Sequence, residues 1–467
     1  VRYLLYAGLL VFSVPVCADD LLSLYKRAVL ASPELSGSEY AVDMARAQED
    51  QAFGQLLPDI RASANYSLNR SHIESNRKQL IFNDPSTNDT STYPGKRASI
   101  NVRQPLFDAQ AYLWMKSRQA ETSQKEEELL ASHQQLIADL VERYITALEA
   151  SDKREIISIE LDSTEKQLKR VESLQSRQLA LITDLYEIQA RTETLKTDLI
   201  DSDNEANIAL EKLRELTDDA VTNVQPIRLN FNQKPPEHNV VIWVDDARKF
   251  NPELKALNYA VDSARRSITS YQAAHLPRIE LQVSGIYTDT SINGTSSRPY
   301  EVGTLGIEAT LPLYQGGITS AKVREAKARK GLSEASRELK LRELEQKIRA
   351  AYLDMASSPA RSLATDRQLD ASEKSRDAMI EGYDLGVVTI VDLLNAEKQL
   401  SEARRGQRQA RYRYIKAYST LYYQAGRLLA NEVIKLNSWL VTASASEKPD
   451  VSQVINTSSQ PSKPKRP

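Results

Sequence analysis

One stretch of this chain is written twice, and that duplication restricts the available folds more than any other feature. Ser32-Pro-Glu-Leu35, Tyr40-Ala-Val-Asp43, Ala45-Arg46 and Leu57-Pro58-x-Ile60 return as Asn251-Pro-Glu-Leu254, Tyr259-Ala-Val-Asp262, Ala264-Arg265 and Leu276-Pro277-x-Ile279, at a constant offset of 219 residues. Twelve of the 29 aligned pairs are identical, where composition alone would give about two. A period above about 200 residues is far longer than the roughly 20–50 residues of a solenoid module, so a whole structural unit is doubled. The 467 residues are therefore expected to form two halves built on one plan.

The amino-terminal residues stand outside that plan. Arg2 precedes an almost wholly apolar run from Tyr3 to Val16, and Val16-Cys17-Ala18 puts small residues at the −3 and −1 positions of a cleavage site. Residues 1–18 read as a secretory signal peptide. A lipobox needs a small residue just before its cysteine, and Val16 fits poorly. Cys17 is the only cysteine in the chain, so the mature protein would carry no thiol, which suits an oxidising compartment without disulfides. A net charge of −2 argues against nucleic acid as a partner. Beyond residue 18 no apolar run approaches the roughly 20 residues of a spanning helix.

Within each half the hydrophobic period changes at the Leu-Pro-x-Ile motif. Before it, apolar residues recur at helical spacing, with Pro33 marking a break. After it, Ile60, Ala62, Ala64, Tyr66 and Leu68 alternate with Arg61, Ser63, Asn65, Ser67 and Asn69, the two-residue rhythm of a strand. Residues 70–97 are polar and read as an exposed loop, and Ala98 to Arg103 forms a return strand ending at Pro105-Leu-Phe107. The second half repeats this with Arg278 to Ser284, a polar loop at 288–299, and a return strand ending at Pro312-Leu-Tyr314. Between Gln110 and Ser176 there is neither Pro nor Gly, which as one helix would span roughly 100 Å. A second long helical tract begins at Gly316-Gly317, with an interruption expected near Pro359. Asp245-Asp246 falls where a helix is expected to begin and reads as a cap.

Four strands of about ten residues, apolar on one face and set between such helices, admit two architectures. One is a half-buried antiparallel sheet on a soluble helical bundle. The other is part of a transmembrane β-barrel, whose tilted strands need about this length. Phe107 and Tyr314 fit either an interfacial girdle or strand-end packing. A barrel of four strands cannot close, since about eight is the observed minimum, so the second architecture requires oligomerisation.

At these motifs the chain resembles the TolC-type outer-membrane efflux and secretion channel family. The resemblance covers about Leu21 to Ala430 and rests on both Pro-Glu-Leu, Leu-Pro-x-Ile and Pro-Leu-aromatic sets, and on Leu385-Gly-Val-Val-Thr-Ile-Val-Asp-Leu-Leu394 followed by Asn395-Ala396. It implies an α+β membrane protein: a long α-helical coiled-coil barrel plus four transmembrane strands per chain, giving a 12-stranded barrel in a homotrimer. Residues 19–217 would form the first repeat (hairpin at about 59–106), 218–244 an equatorial connector, and 245–429 the second repeat (hairpin at about 278–313). Residues 430–467 would form an equatorial segment and a disordered tail. The implied location is the outer membrane of a Gram-negative bacterium, extending into the periplasm. The implied role is export of drugs or secreted proteins in a tripartite efflux or type I secretion system, with a periplasmic adaptor and an inner-membrane transporter as partners.

The resemblance also assigns roles at two helix turns, Leu179 to Asp184 and Gly386 to Asp392, which align at an offset of 208. Asp392 matches an aspartate that forms an acidic ring at the tunnel entrance, where neighbouring carboxylates attract cations. Asn395 stands where the family often has a second aspartate, which weakens the ring. Tyr383 and Asp184 match a pair that hydrogen-bonds neighbouring helices and holds the entrance shut, and Val388 replaces an arginine that often joins that lock. Leu179, Ala180, Leu181, Gly386 and Val387 match residues that meet the adaptor. Asp184 and Asp392 also read as helix N-caps, a role compatible with the other. Gln178 faces Gly386 across the alignment, and a residue with a Cβ there restricts left-handed backbone.

Nothing in the sequence points to catalysis or to a cofactor. His72, His133, His238 and His275 lack metal-ligand spacing, and there is no phosphate loop, nucleotide fingerprint or nucleophile elbow. The alternative from another class is a periplasmic coiled-coil adaptor or scaffold without a pore.

Overall fold

The computed structural model describes residues 19–73, 89–228, 231–290 and 298–441. The expected signal peptide, the centres of both strand loops and the tail beyond residue 441 lie outside them. The elements run α1 (Leu21–Ala31), α2 (Pro33–Gly54), β1 (Asp59–Ile73), β2 (Asp89–Phe107), α3 (Ala109–Ser176), α4 (Ile182–Thr217), α5 (Val240–Phe250), α6 (Pro252–Ala273), β3 (Arg278–Thr290), β4 (Tyr300–Thr310), α7 (Ile318–Asp384), α8 (Ile390–Gln424) and α9 (Ala430–Asn437). They divide into two compact units. One holds residues up to 39, 128–254 and from 339 onward; the other holds 40–127 and 255–338.

The repeated Pro-Glu-Leu motif is a helix start. Ser32 and Asn251 each close one short helix and cap the next: Ser32 Oγ accepts from the Leu35 N–H at 3.2 Å, and Asn251 Oδ1 from the Leu254 N–H at 2.9 Å. Proline follows at the first helical position, where its missing N–H costs nothing. Asn251 also donates from Nδ2 to the Gln424 carbonyl at 3.0 Å, tying the repeat start to the end of α8.

The unit holding 40–127 and 255–338 contains one antiparallel sheet in the order β1-β2-β3-β4. Its register sorts the side chains by face. Ile60, Val102, Val283 and Leu305 lie opposite one another, as do Ala62, Ile100 and Gly285; the alternate rows hold Arg61, Asn101, Ser284 and Thr304. The apolar face is bare in the single chain, with Ile60, Leu68, Leu305 and Ile307 all exposed. β1 and β4 are the two edges. A register shift between Pro105 and Phe107 ends the β2–β3 ladder, and Asp108 Oδ1 then caps α3 through the Ala111 N–H at 2.8 Å.

The first hairpin is longer than its sequence suggests. Residues 70–73 and 89–97, expected in a loop, continue the ladder, with Arg70 opposite Thr92 and His72 opposite Thr90. His72 Nδ1 lies 2.9 Å from Thr90 Oγ1. Polarity on both faces does not hinder backbone pairing, and Ser, Thr and Tyr are tolerated or favoured in strands. Among the described residues β3 pairs with β2 from Gly95 onward, and Pro94, which has no N–H to give, lies just before that stretch of ladder.

In the other unit the core joins α1, α3, α4, α5, α7, α8 and α9, with Leu24, Leu140, Tyr144, Leu213, Leu344, Ile348 and Leu421 among its most buried members. The irregular segment after α4 is pinned by isolated bridges pairing Asp19 with Val224 and Ile227 with Leu440. Phe231, Tyr414, Tyr418, Tyr422 and Trp439 pack ring to ring, with Tyr418 and Tyr422 stacked 4.2 Å apart.

Two local expectations are corrected here. Pro359 does not interrupt α7, which runs unbroken from Ile318 to Asp384. Burial of Ile348, Ala351, Met355 and Ser358 beside it outweighs the local cost of about 3 kcal/mol, and Ser358 Oγ donates to the Asp354 carbonyl. Asp245 and Asp246 do not cap a helix. Asn239 is the N-cap of α5, and Asp246 instead lies 2.8 Å from Arg427.

Candidate functional site

The two turns singled out above are brought together by one small apolar cluster. Val171 from α3, Ile188 from α4 and Ile390, Leu393 and Leu394 from α8 are buried there, and Leu168, Ala180, Leu185, Met379, Ile380 and Tyr383 pack around them. Four helix ends thus share one core, and the sequence writes it as apolar residues three and four apart in each helix.

Both turns have the same backbone. The Leu179 N–H reaches the Leu174 carbonyl and the Gln178 N–H that of Gln175, both at 2.8 Å; Val387 reaches Gly382 at 2.9 Å and Gly386 reaches Tyr383 at 3.0 Å. This is the double hydrogen bond of a Schellman C-cap, with the left-handed residue at Gln178 (φ 61°) and Gly386 (φ 72°). Gln178 therefore takes the conformation its side chain disfavours, because the two capping bonds and the cluster beneath fix the turn. Val388 fills the space over Gly382, where an added Cβ would meet its methyl groups at 3.2 and 3.3 Å.

The two aspartates are not equivalent. Thr389 is the N-cap of α8, accepting at Oγ1 from the Asp392 N–H at 3.2 Å, while Asp392 Oδ2 accepts from the Thr389 N–H at 3.0 Å and from its hydroxyl at 2.7 Å. Asp392 completes a reciprocal capping box rather than forming the cap itself. The Thr389 hydroxyl and N–H hold its carboxyl below the ordinary aspartate range, so it is charged at neutral pH. Asp392 and Asn395 lie three residues apart on the exposed side of α8. Asp184 lies in the first turn of α4, whose cap, Leu181, makes no side-chain hydrogen bond, so Asp184 is not a cap either.

Asp184 and Tyr383 are close enough to feel each other. Partial burial raises the Tyr383 phenol above its ordinary value, and the Asp184 carboxylate raises it further, as Asp384 does, while Arg170 opposes them. Among the described residues no hydrogen bond joins Asp184 to Tyr383 within the chain. Sequence reasoning missed the other two members of this group. Arg170 of α3 and Asp384, the last residue of α7, form an ion pair at 2.5 Å. The Thr389-x-x-Asp392 spacing is the signal that identifies the capping box, although in sequence Asp392 itself reads as the cap; the Arg170–Asp384 pair, spanning distant segments, leaves no such signal.

The outer face of the turns is apolar and bare. Leu179, Leu181, Leu385 and Val387 are 68–78% exposed, with Ile182, Tyr186 and Val391 beside them. Among the described residues no group of His, Cys, Asp and Glu is arranged to hold a metal ion, and no helix is long and apolar enough to cross a membrane.

With this geometry in view, comparison with known proteins is specific. The family model for the outer membrane efflux protein matches residues 24–218 and 243–427, one segment in each half. The outer membrane protein TolC of Salmonella enteritidis is 26% identical over 436 residues, covering 92% of this chain and 86% of that protein. The alkaline protease secretion protein AprF of Pseudomonas aeruginosa is 28% identical over 429 residues, covering 91% and 88%. The crystal structure of the Campylobacter jejuni CmeC outer membrane channel superposes with a TM-score of 0.74 at 17% identity, over 90% of this chain and 89% of that one. The doubled plan, the four-stranded sheet with two open edges and the long helices are the fold of these channels. The chain belongs to the outer membrane efflux protein family and is an outer-membrane channel of the efflux and secretion type.

Proposed function

We propose that the paired turns form the periplasmic entrance of a trimeric channel and the surface that meets a periplasmic adaptor. The observation that carries this is the shared construction of the turns. Two identical Schellman caps stand on one five-residue core, with charged groups on their flank and four large aliphatic side chains left bare. A contiguous exposed apolar surface of this kind marks a place where a partner sits. Leu179, Ala180, Leu181, Gly386 and Val387 are the contacts; Asp184, Tyr383, Val388, Asp392 and Asn395 line the entrance.

The trimer follows from the sheet. Strands β1 and β4 leave unpaired edges that cannot face lipid, and four strands are too few to close. Three copies pair those edges and give twelve strands. Residues 19–217 and 245–429 act as the two repeats in each subunit, joined by the 218–244 connector. The channel carries no catalytic site; an inner-membrane transporter supplies the energy, and its identity determines whether drugs or secreted proteins are exported.

Photo-crosslinking residues placed at Ala180 and Gly386 in cells test the docking surface. They should yield a covalent product with the adaptor, while the same group on the exposed face of α4 at Asp201 should not. A failure at both turns would reject them as the docking surface.

A further inference from the structure

We propose that a cavity between α3, α4 and α8 is a binding site for a small amphipathic organic anion, one in each subunit. The cavity has a volume of about 340 Å³ and lies within the helical unit that holds 128–254 and 339 onward. It stands apart from the turns. Ile156, its lining residue on α3 nearest to them, precedes the helix end at Ser176 by roughly 30 Å of helix.

Each helix turns one stripe of residues to the cavity at three- and four-residue spacing: Lys153 and Ile156 on α3, Ile208 and Lys212 on α4, Arg405 and Arg408 on α8. α3 is bonded to both neighbours here. Lys153 reaches Glu205 of α4 at 2.6 Å, and Asp152 accepts from Arg408 and from the Tyr412 hydroxyl of α8. The volume selects the size of the ligand. Two turns of a partner helix, a cylinder about 10 Å across and 11 Å long, fill roughly 850 Å³ and do not fit. A small molecule does, since such sites begin at about 300 Å³.

The charges select its chemistry. Every carboxylate lining the cavity already has a cation: Asp152 has Arg408, Glu205 has Lys153, and Glu149 has Lys416 at 3.0 Å. Two cations are left over. Among the described residues Arg405 and Lys212 make no side-chain hydrogen bond or ion pair, and Arg405 Nε is buried without a partner. A desolvated guanidinium N–H without an acceptor carries a cost that an incoming anion removes, and a charge-assisted hydrogen bond is the strong kind. The rest of the lining is apolar. Ile156 and Ala209 are buried, while Ile208 is left 48% exposed with no apolar partner over it. An acidic group for Arg405 and Lys212, carried on an apolar body that covers Ile208, satisfies both features. A cation or a neutral molecule satisfies only the second.

Equilibrium dialysis of 2-naphthoate against the full-length trimer in lipid nanodiscs, with empty nanodiscs as background, tests the site. Binding should saturate at one naphthoate per subunit. 2-Naphthylmethylammonium, with the same rings and the opposite charge, should show no saturable uptake. Arg405→Gln with Lys212→Gln should weaken naphthoate binding by at least about tenfold, the factor carried by one charge-assisted hydrogen bond. Because neither side chain bonds to the rest of the chain, that variant should keep the trimer and its unfolding temperature. Ile208→Trp, which fills the cavity and leaves both cations in place, should weaken binding independently. Three results overturn the proposal: no saturable binding to the intact trimer, equal uptake of the ammonium compound, or naphthoate affinity unchanged in both variants.

Discussion

Replacing Gly426 with alanine is expected to prevent accumulation of folded protein, although the change adds one methyl group. Gly426 ends α8 at φ 71°, where the Arg427 N–H reaches the Tyr422 carbonyl at 2.8 Å in a third Schellman cap. A Cβ at this point would stand 2.6 Å from the backbone of Phe250 and Asn251, the junction of α5 and α6. Neither side can yield freely. Asn251 caps α6 and holds the Gln424 carbonyl, Leu428 is fully buried, and Gln134 donates to the Gly426 carbonyl at 3.1 Å. The left-handed conformation alone costs an alanine about 1–2 kcal/mol. The backbone collision lifts the total to about 4 kcal/mol or more, in the range that marks a disrupted core. Gly406 provides the internal comparison. It lies within α8 with nothing within 4 Å of its added Cβ, so Gly406→Ala should be neutral or stabilising by up to about 1 kcal/mol. Trimer yield and thermal unfolding of the two variants, side by side, check the contrast.

Leu393→Asp should have an effect of similar size confined to the turns. Leu393 is fully buried at the centre of the cluster that unites the two hairpin ends. Truncating such a leucine costs about 2–5 kcal/mol, and an unpaired carboxylate in its place adds desolvation. The cluster has five buried members, whereas the main core extends through seven helices. The loss should therefore appear as local opening rather than global unfolding. Hydrogen exchange should accelerate around Leu174 to Ile188 and Met379 to Leu394 and stay slow around Leu140 and Leu421. Uniform acceleration would show that the cluster is not an independent unit. Leu393→Ala should give the same pattern more weakly.

The parts of the fold that could be read in the sequence are those written in short-range chemistry. The change of period at Leu57-Pro58 and Leu276-Pro277 marks the passage from helix to strand, and Ser32-Pro33 and Asn251-Pro252 mark helix starts by cap and proline. The sheet faces follow from alternation, and the register in the structure sorts them as the pattern implies. What stayed hidden depends on partners distant in the chain. Pro359 looks like a break until buried Met355 and Ser358 are placed against the rest of the unit. Asp246 looks like a cap until Arg427 arrives beside it. At the turns, Gly386 signals a left-handed residue, but Gln178 gives no such signal and adopts one under the constraint of its capping bonds. The strand ends between 70 and 97 were obscured because polar residues on both faces erase the alternation without weakening the ladder.

An entrance at the paired turns, as proposed, requires that they line the path of conduction. With Cys17 replaced by serine, Asp392→Cys leaves one thiol per subunit, on the exposed side of α8 at the position that completes the capping box with Thr389. A bulky cationic thiol reagent applied from the periplasmic side of a planar bilayer should then lower the single-channel current in discrete steps, restored by a reducing agent. Complete labelling of that cysteine with the current unchanged would place the turns away from the pore.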